Sequence, residues 1–488
     1  MAHFHGRADY LVVLEQQLRL VRDRLATTPG QAVIVTGRRR VGKSRLLQEF
    51  CDRSGVPYVV FQASRGRNPV AERADFFAAL TQSDLPNADL VAGMTGGDWH
   101  QALRALAVAV PDDAPSIVVL DEVPWLVEQD REFEGALQTV WDRYLSARPV
   151  LLLLVGSDLS VMRSLQEYGR PFHGRAAPMV IHPLNPADVR EMTGLGPAEA
   201  LDAFLITGGF PEIVQRWTPG TSRGDFLRDQ LADPLSPLLM AGELSLLGEF
   251  PESSHTRAAL EAVGTGERTF TTIANRIGAG SPVPSGTLAP ILNTLTAKRL
   301  IAIDNPLATR PDTKNRRYRI EDSYLRFWLA FLRRGIADVE RGRGDLAAAR
   351  IEQSWQSWRG RAVEPVVRAG LARLLPDDRL PGADVVGGWW NRQNNPEIDL
   401  VGADREQPAT RIAFTGSIKW LESEPFDQRD LERLLAGSMS VPGRDHATPL
   451  VAVSRSGVRE GLPLAASFGP EEIVSAWARP ASPAGGAS

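Results

Sequence analysis

This chain of 488 residues has one cysteine, a small net charge and no long apolar run. Its single cysteine, Cys51, excludes an internal disulfide and any zinc site built from several cysteines. The formal net charge of only -4 excludes a global basic field, so a nucleic-acid-binding surface would have to be local. The run at residues 150–155 is too short to span a bilayer, and the first residues lack signal-peptide features. We therefore expect a cytoplasmic protein without a membrane partner.

Lysine is equally rare, because arginine supplies almost all of the positive charge. The four lysines are Lys43, Lys298, Lys314 and Lys419. In a chain so biased towards arginine, a lysine indicates a position that a flat guanidinium group does not serve. Lys43 and Lys419 are therefore candidate functional residues.

A glycine-rich segment at residues 37–44 fits the pattern G-x-x-x-x-G-K-[ST]. An apolar β-branched run precedes it and a helical pattern follows it, which is the context of a phosphate-binding P-loop rather than of a chance glycine turn. In such a loop backbone N–H groups cradle the phosphates of a nucleotide, Lys43 reaches the outer phosphates and the Ser44 hydroxyl is a ligand of Mg²⁺. We assign nucleotide binding to Gly37, Arg38, Arg39, Arg40, Val41, Gly42, Lys43, Ser44 and Arg45.

Two further apolar runs end in polar residues suited to hydrolysis of a bound nucleotide. The first ends at Asp121 and Glu122; Asp121 would hold Mg²⁺ and Glu122 would orient or deprotonate the attacking water. The second ends at Ser157, which is placed to sense the terminal phosphate. Arg175, further on, has two open interpretations: it reaches the nucleotide of a neighbouring subunit, or it pairs with acidic groups on its own surface.

The segments FHGRADYLVVLEQQL, VTGRRRVGKSRLL, VVLDEVPWL, LLVGSDLSVM, FHGRA and ITGGFPEIV occur in this order. Together they resemble the prokaryotic archaeal-type ATPase family of the STAND class, within the AAA+-like P-loop ATPases, over nearly the whole chain. The resemblance implies that the three P-loop arginines belong to the site and that Arg7 lies near the base. It also implies that Gly208, Gly209 and Pro211 belong to a small helical lid.

Past residue 250 the pattern changes to three short helices followed by two strands with a basic loop between them. This is the layout of a winged helix-turn-helix, with residues 285–298 as the recognition-type helix. Duplex DNA binding and a protein-contact role both remain open, since the helix carries few base-reading side chains. The wing would hold a cationic cluster of Arg310, Lys314, Arg316 and Arg317.

The last third carries parts of a metal-dependent nuclease site. Glu364 on a helix, Asp399 on a strand and Lys419 on the next strand match the metal-binding and water-activating residues of restriction-endonuclease-like domains, a fold that the family resemblance also implies. The position that should carry a second strand carboxylate is Ser417. A serine hydroxyl cannot supply the missing anionic charge, so a fold retained for binding without cleavage is the preferred interpretation.

The sequence thus predicts an α/β protein with a P-loop parallel sheet and helical lid (residues 1–250), a winged helix-turn-helix and connecting helix (251–335), a degenerate restriction-endonuclease-like α/β domain (345–478) and a disordered tail (479–488). The predicted function is an ATP-binding, Mg²⁺-dependent ATPase switch. The alternatives are a DNA-binding regulator and an ATP-gated, metal-dependent nuclease. A homo-oligomer or an unidentified protein partner is a further possibility.

Overall fold

The computed structural model describes residues 6–23, 30–95, 97–249, 254–266, 268–278, 283–310, 312 and 314–478. The predicted tail at 479–488 lies outside these residues. Contacts divide the chain into two compact units, Met1–Pro183 and Leu184–Ser488. The segment at 184–249, which the sequence analysis joined to the ATPase domain, therefore packs with the second unit. Within the described residues, no helix has the length and apolar character needed to cross a membrane.

The first unit is built on a parallel sheet with strand order β2-β3-β4-β1-β5, which confirms the predicted α/β class. β3 and β4 are buried along their whole length, as expected for continuous apolar runs covered on both faces. Because all strands run the same way, their carboxyl ends meet at one edge. The strands are β1 Gln31–Thr36, β2 Tyr58–Gln62, β3 Ser116–Asp121, β4 Val150–Gly156 and β5 Ala177–Val180.

Helices cover the two faces of this sheet. On one side the rings of Phe76, Trp99 and Phe133 meet edge to face at centroid distances of 5.6 and 5.1 Å, a geometry favoured by the ring quadrupoles. The helices are α1 Ala8–Asp23, α2 Lys43–Ser54, α3 Pro69–Thr81, α4 Trp99–Ala109, α5 Val123–Gln129, α6 Phe133–Arg143 and α7 Leu159–Ser164, with 3₁₀ turns at Ala88–Val91 and Leu145–Ala147.

The second unit begins with helices and continues into a two-stranded antiparallel hairpin, β6-β7. The helices are α8 Pro186–Thr193, α9 Pro197–Thr207, α10 Pro211–Val214, α11 Arg223–Ala232, α12 Pro237–Glu249, α13 Ser254–Gly264, α14 Phe270–Ile277, α15 Ser285–Ala297, α16 Ser323–Phe327, α17 Arg333–Glu340, α18 Gly344–Leu374, α19 Gln428–Ser438 and α20 Pro470–Ser475, with a π-helical turn at Trp328–Leu332. Gly208 and Gly209 lie in the turn between α9 and α10, and Pro211 begins α10.

A mixed five-stranded sheet of order β12-β11-β10-β9-β8 completes the second unit. β8, β9 and β10 pair antiparallel, whereas β10, β11 and β12 pair parallel. α18 contributes Val363, Val367 and Leu371 to the core beneath this sheet. The strands of the second unit are β6 Ile301–Asp304, β7 Arg317–Ile320, β8 Val385–Trp390, β9 Glu397–Ala403, β10 Ile412–Lys419, β11 Leu450–Ser454 and β12 Ala466–Phe468.

Candidate nucleotide site and candidate second-unit site

The loop between β1 and α2 has the backbone shape of an anion cradle. Arg40 and Gly42 adopt left-handed conformations with φ of 68° and 86°, which turn successive N–H groups towards one side. Gly37 has no room for a side chain, because a Cβ there would lie 2.5 Å from the carbonyl oxygen of Ile181. The loop leads directly into the amino end of α2, where unpaired N–H groups favour an anion.

Lys43 is buried at the start of α2, and its ammonium group is held against the loop itself. Its Nζ donates hydrogen bonds to the carbonyl oxygens of Gly37, at 2.8 Å, and Arg38, at 3.0 Å. Burial lowers the pKa of Lys43 to about 8, although the nearby carboxylates of Glu122 and Asp121 act in the opposite direction. The side chain is thus a cation inside the cradle, beside the place where phosphates would lie.

The Ser44 hydroxyl donates a 2.7 Å hydrogen bond to Oδ2 of Asp121, at the end of β3. Mg²⁺ prefers oxygen ligands and usually takes one or two protein oxygens together with phosphates and water. The hydroxyl and carboxylate required for such a site are therefore adjacent, and these residues fit the ion. Among the described residues there is no all-protein group of three or more metal ligands, which a site completed by phosphates does not require.

Glu122 follows in a left-handed conformation, with φ of 55°. A non-glycine residue in this region is uncommon and is often found where a side chain must be aimed at a site. The Ser157 hydroxyl, after β4, donates to both carboxylate oxygens of Glu122, at 3.2 and 3.1 Å. The structure thus brings together the carboxylate and the hydroxyl that the sequence placed at the ends of separate strands.

The P-loop arginines differ in their surroundings. Arg38, Arg39 and Arg40 are half-buried, whereas Arg45 is exposed on α2 and lies 3.6 Å from Glu49. The guanidinium carbon of Arg39 lies 5.7 Å from the centroid of the Trp125 ring, and that of Arg65 lies 5.1 Å from the same ring. This contact of Trp125 was not predicted from the sequence. The only feature that marked Trp125 there was its position three residues after Glu122.

Arg7 is buried and braces the P-loop from the amino-terminal segment. Its guanidinium donates to the backbone carbonyls of Val41 and His182, both at 2.6 Å. The structure thus places Arg7 beside the P-loop backbone, and its proposed contact with the nucleotide base stays a prediction.

Arg175 makes a two-bond ion pair with Asp142, with distances of 2.8 Å from Nε and 2.7 Å from Nη2. This is the surface-pairing geometry that the sequence left open as one of two interpretations. A role in a neighbouring subunit's site would require this pair to open.

In the second unit, Glu364 on α18 and Asp399 on β9 line the same cavity. Oδ2 of Asp399 accepts hydrogen bonds from the Ser417 hydroxyl and the Ile418 N–H, both at 2.9 Å. Arg368 lies 3.2 Å from Glu364 and donates from Nε to the carbonyl oxygen of Asp399 at 2.7 Å. Burial raises the pKa of Glu364 to about 7, despite the opposing effect of Arg368.

Lys419 is engaged elsewhere. Its Nζ lies 2.6 Å from Oδ2 of Asp430 at the start of α19, in a half-buried ion pair. Asp430 also accepts the backbone N–H of Asp427 as part of the cap of α19. Asp430 lies 11 residues from Lys419 in the chain, and no feature of the sequence marked it as a partner.

Three of the four basic residues predicted for the wing are exposed, and the fourth is buried. Arg310, Lys314 and Arg316 are exposed. Arg317, by contrast, is buried over the ring of Trp390 and bonded to Glu397 and Asn394. Its place in the exposed cationic cluster is therefore corrected, because this guanidinium is used inside the second unit.

Comparisons with known proteins agree with the P-loop geometry. A family model described as an ATPase domain predominantly from Archaea matches residues 15–216. A second model, described as archaeal and bacterial proteins of unknown function, matches residues 328–432. An uncharacterised protein of Methanocaldococcus jannaschii is 22% identical over 442 residues, which is 88% of this chain and 92% of that protein.

Solved structures similar to this chain include two archaeal proteins. The Walker-type ATPase of Pyrococcus abyssi has a TM-score of 0.48 at 19% identity, covering 64% of this chain and 95% of the other. The ORC2 protein of Aeropyrum pernix, solved as ADPNP–ADP complexes, has a TM-score of 0.42 at 15% identity, covering 70% of this chain and 96% of the other. The family match over residues 15–216, together with the cradle, Lys43 and the Ser44–Asp121 pair, supports a nucleotide-binding P-loop ATPase domain in this part of the chain.

Proposed function

We propose that the protein is an Mg²⁺-dependent ATPase that acts as a molecular switch. The observation that carries the proposal is the assembly of Lys43, Ser44, Asp121, Glu122 and Ser157 at one edge of the parallel sheet. Phosphoryl transfer needs positioning and charge stabilisation more than covalent chemistry, and these residue types supply both.

Each residue of the site has a distinct task in this proposal. Lys43 neutralises charge on the outer phosphates once its bonds to the loop carbonyls exchange for phosphate oxygens. Ser44 and Asp121 hold Mg²⁺, which supplies Lewis-acid stabilisation of the phosphate charge when bound. Glu122 orients the attacking water and accepts its proton, and Ser157 fixes the direction of that carboxylate.

The test is ATP turnover by the full chain with Mg²⁺, with EDTA and with Mg²⁺ plus duplex DNA. We expect hydrolysis with Mg²⁺ and none with EDTA. An Asp121→Asn variant should need a higher Mg²⁺ concentration for half-maximal rate, because the amide lacks the charge that holds the ion. Turnover that is equal with and without EDTA would overturn the Mg²⁺ proposal.

We further propose that the winged helix-turn-helix expected within residues 251–335 contacts phosphates of DNA through the loop between β6 and β7. The exposed Arg310, Lys314 and Arg316 favour phosphate contact. The exposed positions of α15, such as Thr287, Asn293 and Thr294, are uncharged, which favours binding without strong sequence preference. Binding to duplex DNA should fall with salt and should weaken when all three basic residues are changed to alanine; an unchanged salt slope would contradict the proposal.

For the C-terminal sheet we propose a nuclease-like fold that binds without cleaving. The ion pair of Lys419 with Asp430 and the Ser417 hydroxyl on Asp399 support this proposal, because the water-activating amine is engaged and a carboxylate is missing. The unmodified protein should show no Mg²⁺-dependent cleavage of DNA. Cleavage that disappears in Asp399→Ala would establish the ATP-gated nuclease instead, and Ser417→Glu tests whether a restored carboxylate recovers activity.

A further inference from the structure

A cavity of about 340 Å³ in the second unit brings together charged groups from distant parts of the chain. Arg268 precedes α14, Arg317 begins β7 and Arg361 lies on α18. These three arginines share the cavity with the carboxylates of Glu364, Glu397 and Asp399. The volume is at the lower end of the roughly 300–1,000 Å³ range of ligand pockets, so one nucleotide fits and a duplex does not.

The carboxylates of this cavity are already engaged. Glu397 accepts from Nη2 of Arg317 at 3.1 Å, and Glu364 lies 3.2 Å from Arg368. Asp399 accepts the two hydrogen bonds from β10. Both oxygens of Glu397, Oε2 of Glu364 and Oδ2 of Asp399 accept hydrogen bonds from arginines or from β10, so these carboxylates help to hold the guanidinium groups in place. The described residues contain no group of three or more histidine, cysteine, aspartate or glutamate side chains that could hold a metal ion here.

Two guanidinium groups that line the cavity, those of Arg268 and Arg361, have no hydrogen-bonded carboxylate partner among the described residues. The nearest distance from Arg268 to Glu397 is 3.9 Å, too long for a hydrogen bond. Arg361 is exposed at the cavity. Three arginines and three carboxylates line the cavity, but Arg317 already pairs with Glu397 and Arg368, beside the cavity, pairs with Glu364. The guanidinium groups of Arg268 and Arg361 are therefore the ones left to bind an anion. Planar guanidinium forks match the geometry of phosphate oxygens.

We propose that this cavity binds the terminal phosphate of a nucleic-acid strand, with Arg268 and Arg361 as the phosphate ligands and without cleavage. A strand end is favoured over a free phosphate because Arg316, exposed on the basic loop, directly precedes the cavity residue Arg317. A strand whose backbone lies along Arg310, Lys314 and Arg316 would reach the cavity with its end. This proposal does not depend on ATP hydrolysis in the first unit.

The experiment measures binding of the full-length protein to single-stranded oligonucleotides that carry either a 5′-phosphate, a 3′-phosphate or hydroxyls at both ends. One of the two phosphorylated strands should bind about tenfold more tightly than the hydroxyl strand, the size expected for charge-assisted phosphate contacts. This difference in affinity should disappear in Arg361→Gln and in Arg268→Gln. Arg459→Gln, a change at an exposed arginine, is the matched control and should keep the tenfold difference in affinity.

Four results would overturn the proposal. The first is equal binding of all three strands; the second is a preference that survives in both cavity variants. The third is loss of the preference in Lys43→Ala, since that would assign the phosphate to the P-loop. Inorganic phosphate and a mononucleotide serve as competitors. Competition as strong as that of the phosphorylated strand would make the ligand a free phosphate compound and refute the strand-end assignment.

Because the Arg361 side chain is exposed, Arg361→Gln should keep the wild-type thermal unfolding midpoint, so lost binding in this variant reports on the site and not on unfolding.

Discussion

The Ser157 hydroxyl donates to both carboxylate oxygens of Glu122, at 3.2 and 3.1 Å, across the ends of β4 and β3. This contact fixes the direction of the side chain that we propose as the base for water. It also explains why a left-handed backbone at Glu122 is useful, since that conformation turns the carboxylate towards Ser157.

Glu122→Gln should bind ATP as the wild type does and hydrolyse it at least about 100-fold more slowly, the contribution typical of a general base. The amide keeps the shape of the side chain but does not accept the proton. Single-turnover rates and nucleotide affinity check this prediction. Glu128→Gln, an exposed change on α5, is the control. Normal turnover in Glu122→Gln would place the catalytic base elsewhere.

Nucleotide binding should become coupled to proton uptake above pH 8. Burial lowers the pKa of Lys43 to about 8, so the free protein loses this proton as the pH rises past that value. Bound phosphates favour the ammonium form and restore the proton, so affinity should fall with rising pH above 8. Calorimetry at pH 9 in buffers of different ionisation enthalpy measures the uptake. Its absence there, or its persistence in Lys43→Ala, would contradict this account of Lys43.

Arg7→Ala should weaken both the first unit and its nucleotide affinity. The change removes two charged hydrogen bonds, to the carbonyls of Val41 and His182, each worth about 1.5–3 kcal/mol. Thermal unfolding and ATP titration give the two readouts. Arg19→Ala removes an exposed arginine of α1 and should leave both unchanged. If Arg7→Ala has the same unfolding midpoint and ATP affinity as that control, the hydrogen bonds of Arg7 do not stabilise the P-loop.

Stability of the second unit should fall as the pH rises through the window from about 4.5 to 7. Burial raises the pKa of Glu364 from 4.5 to about 7, so in this window the folded state holds a proton that the unfolded state has released. The unfolding free energy should therefore decrease with pH, by roughly 3–4 kcal/mol in total for the rise in pKa from 4.5 to about 7 at 1.36 kcal/mol per pKa unit. Denaturant unfolding at several pH values measures this slope. Glu364→Gln should flatten it relative to Glu460→Gln, and identical slopes would contradict the assignment.

Local sequence patterns predicted the first unit well. The glycine spacing of residues 37–44 and the apolar runs before Asp121 and Ser157 each depend on neighbours in the chain, and they placed the P-loop and the parallel strands correctly. The roles assigned to individual side chains stay predictions, because geometry shows proximity and not turnover.

Contacts between distant segments could not be predicted in the same way. Lys419 pairs with Asp430 because α19 begins beside the end of β10, and Arg317 is buried because Glu397 and Trp390 lie against β7. The sequence of a basic loop does not show whether a guanidinium group faces water or a buried carboxylate. Only the tertiary fold distinguishes these cases, and it shows that Arg317 is buried and does not belong to the exposed cluster.

The measurement that tests the central claim most directly is Mg²⁺-dependent ATP binding and turnover by the full chain and by Lys43→Ala, with Lys298→Ala as a matched lysine control. Lys298 follows α15 in the second unit. Because Lys43 is the buried cation of the cradle, its loss should abolish turnover and weaken ATP binding at least about tenfold, whereas the control should behave as the wild type. Unchanged ATP affinity and turnover in Lys43→Ala would contradict the assignment of this loop as the nucleotide site.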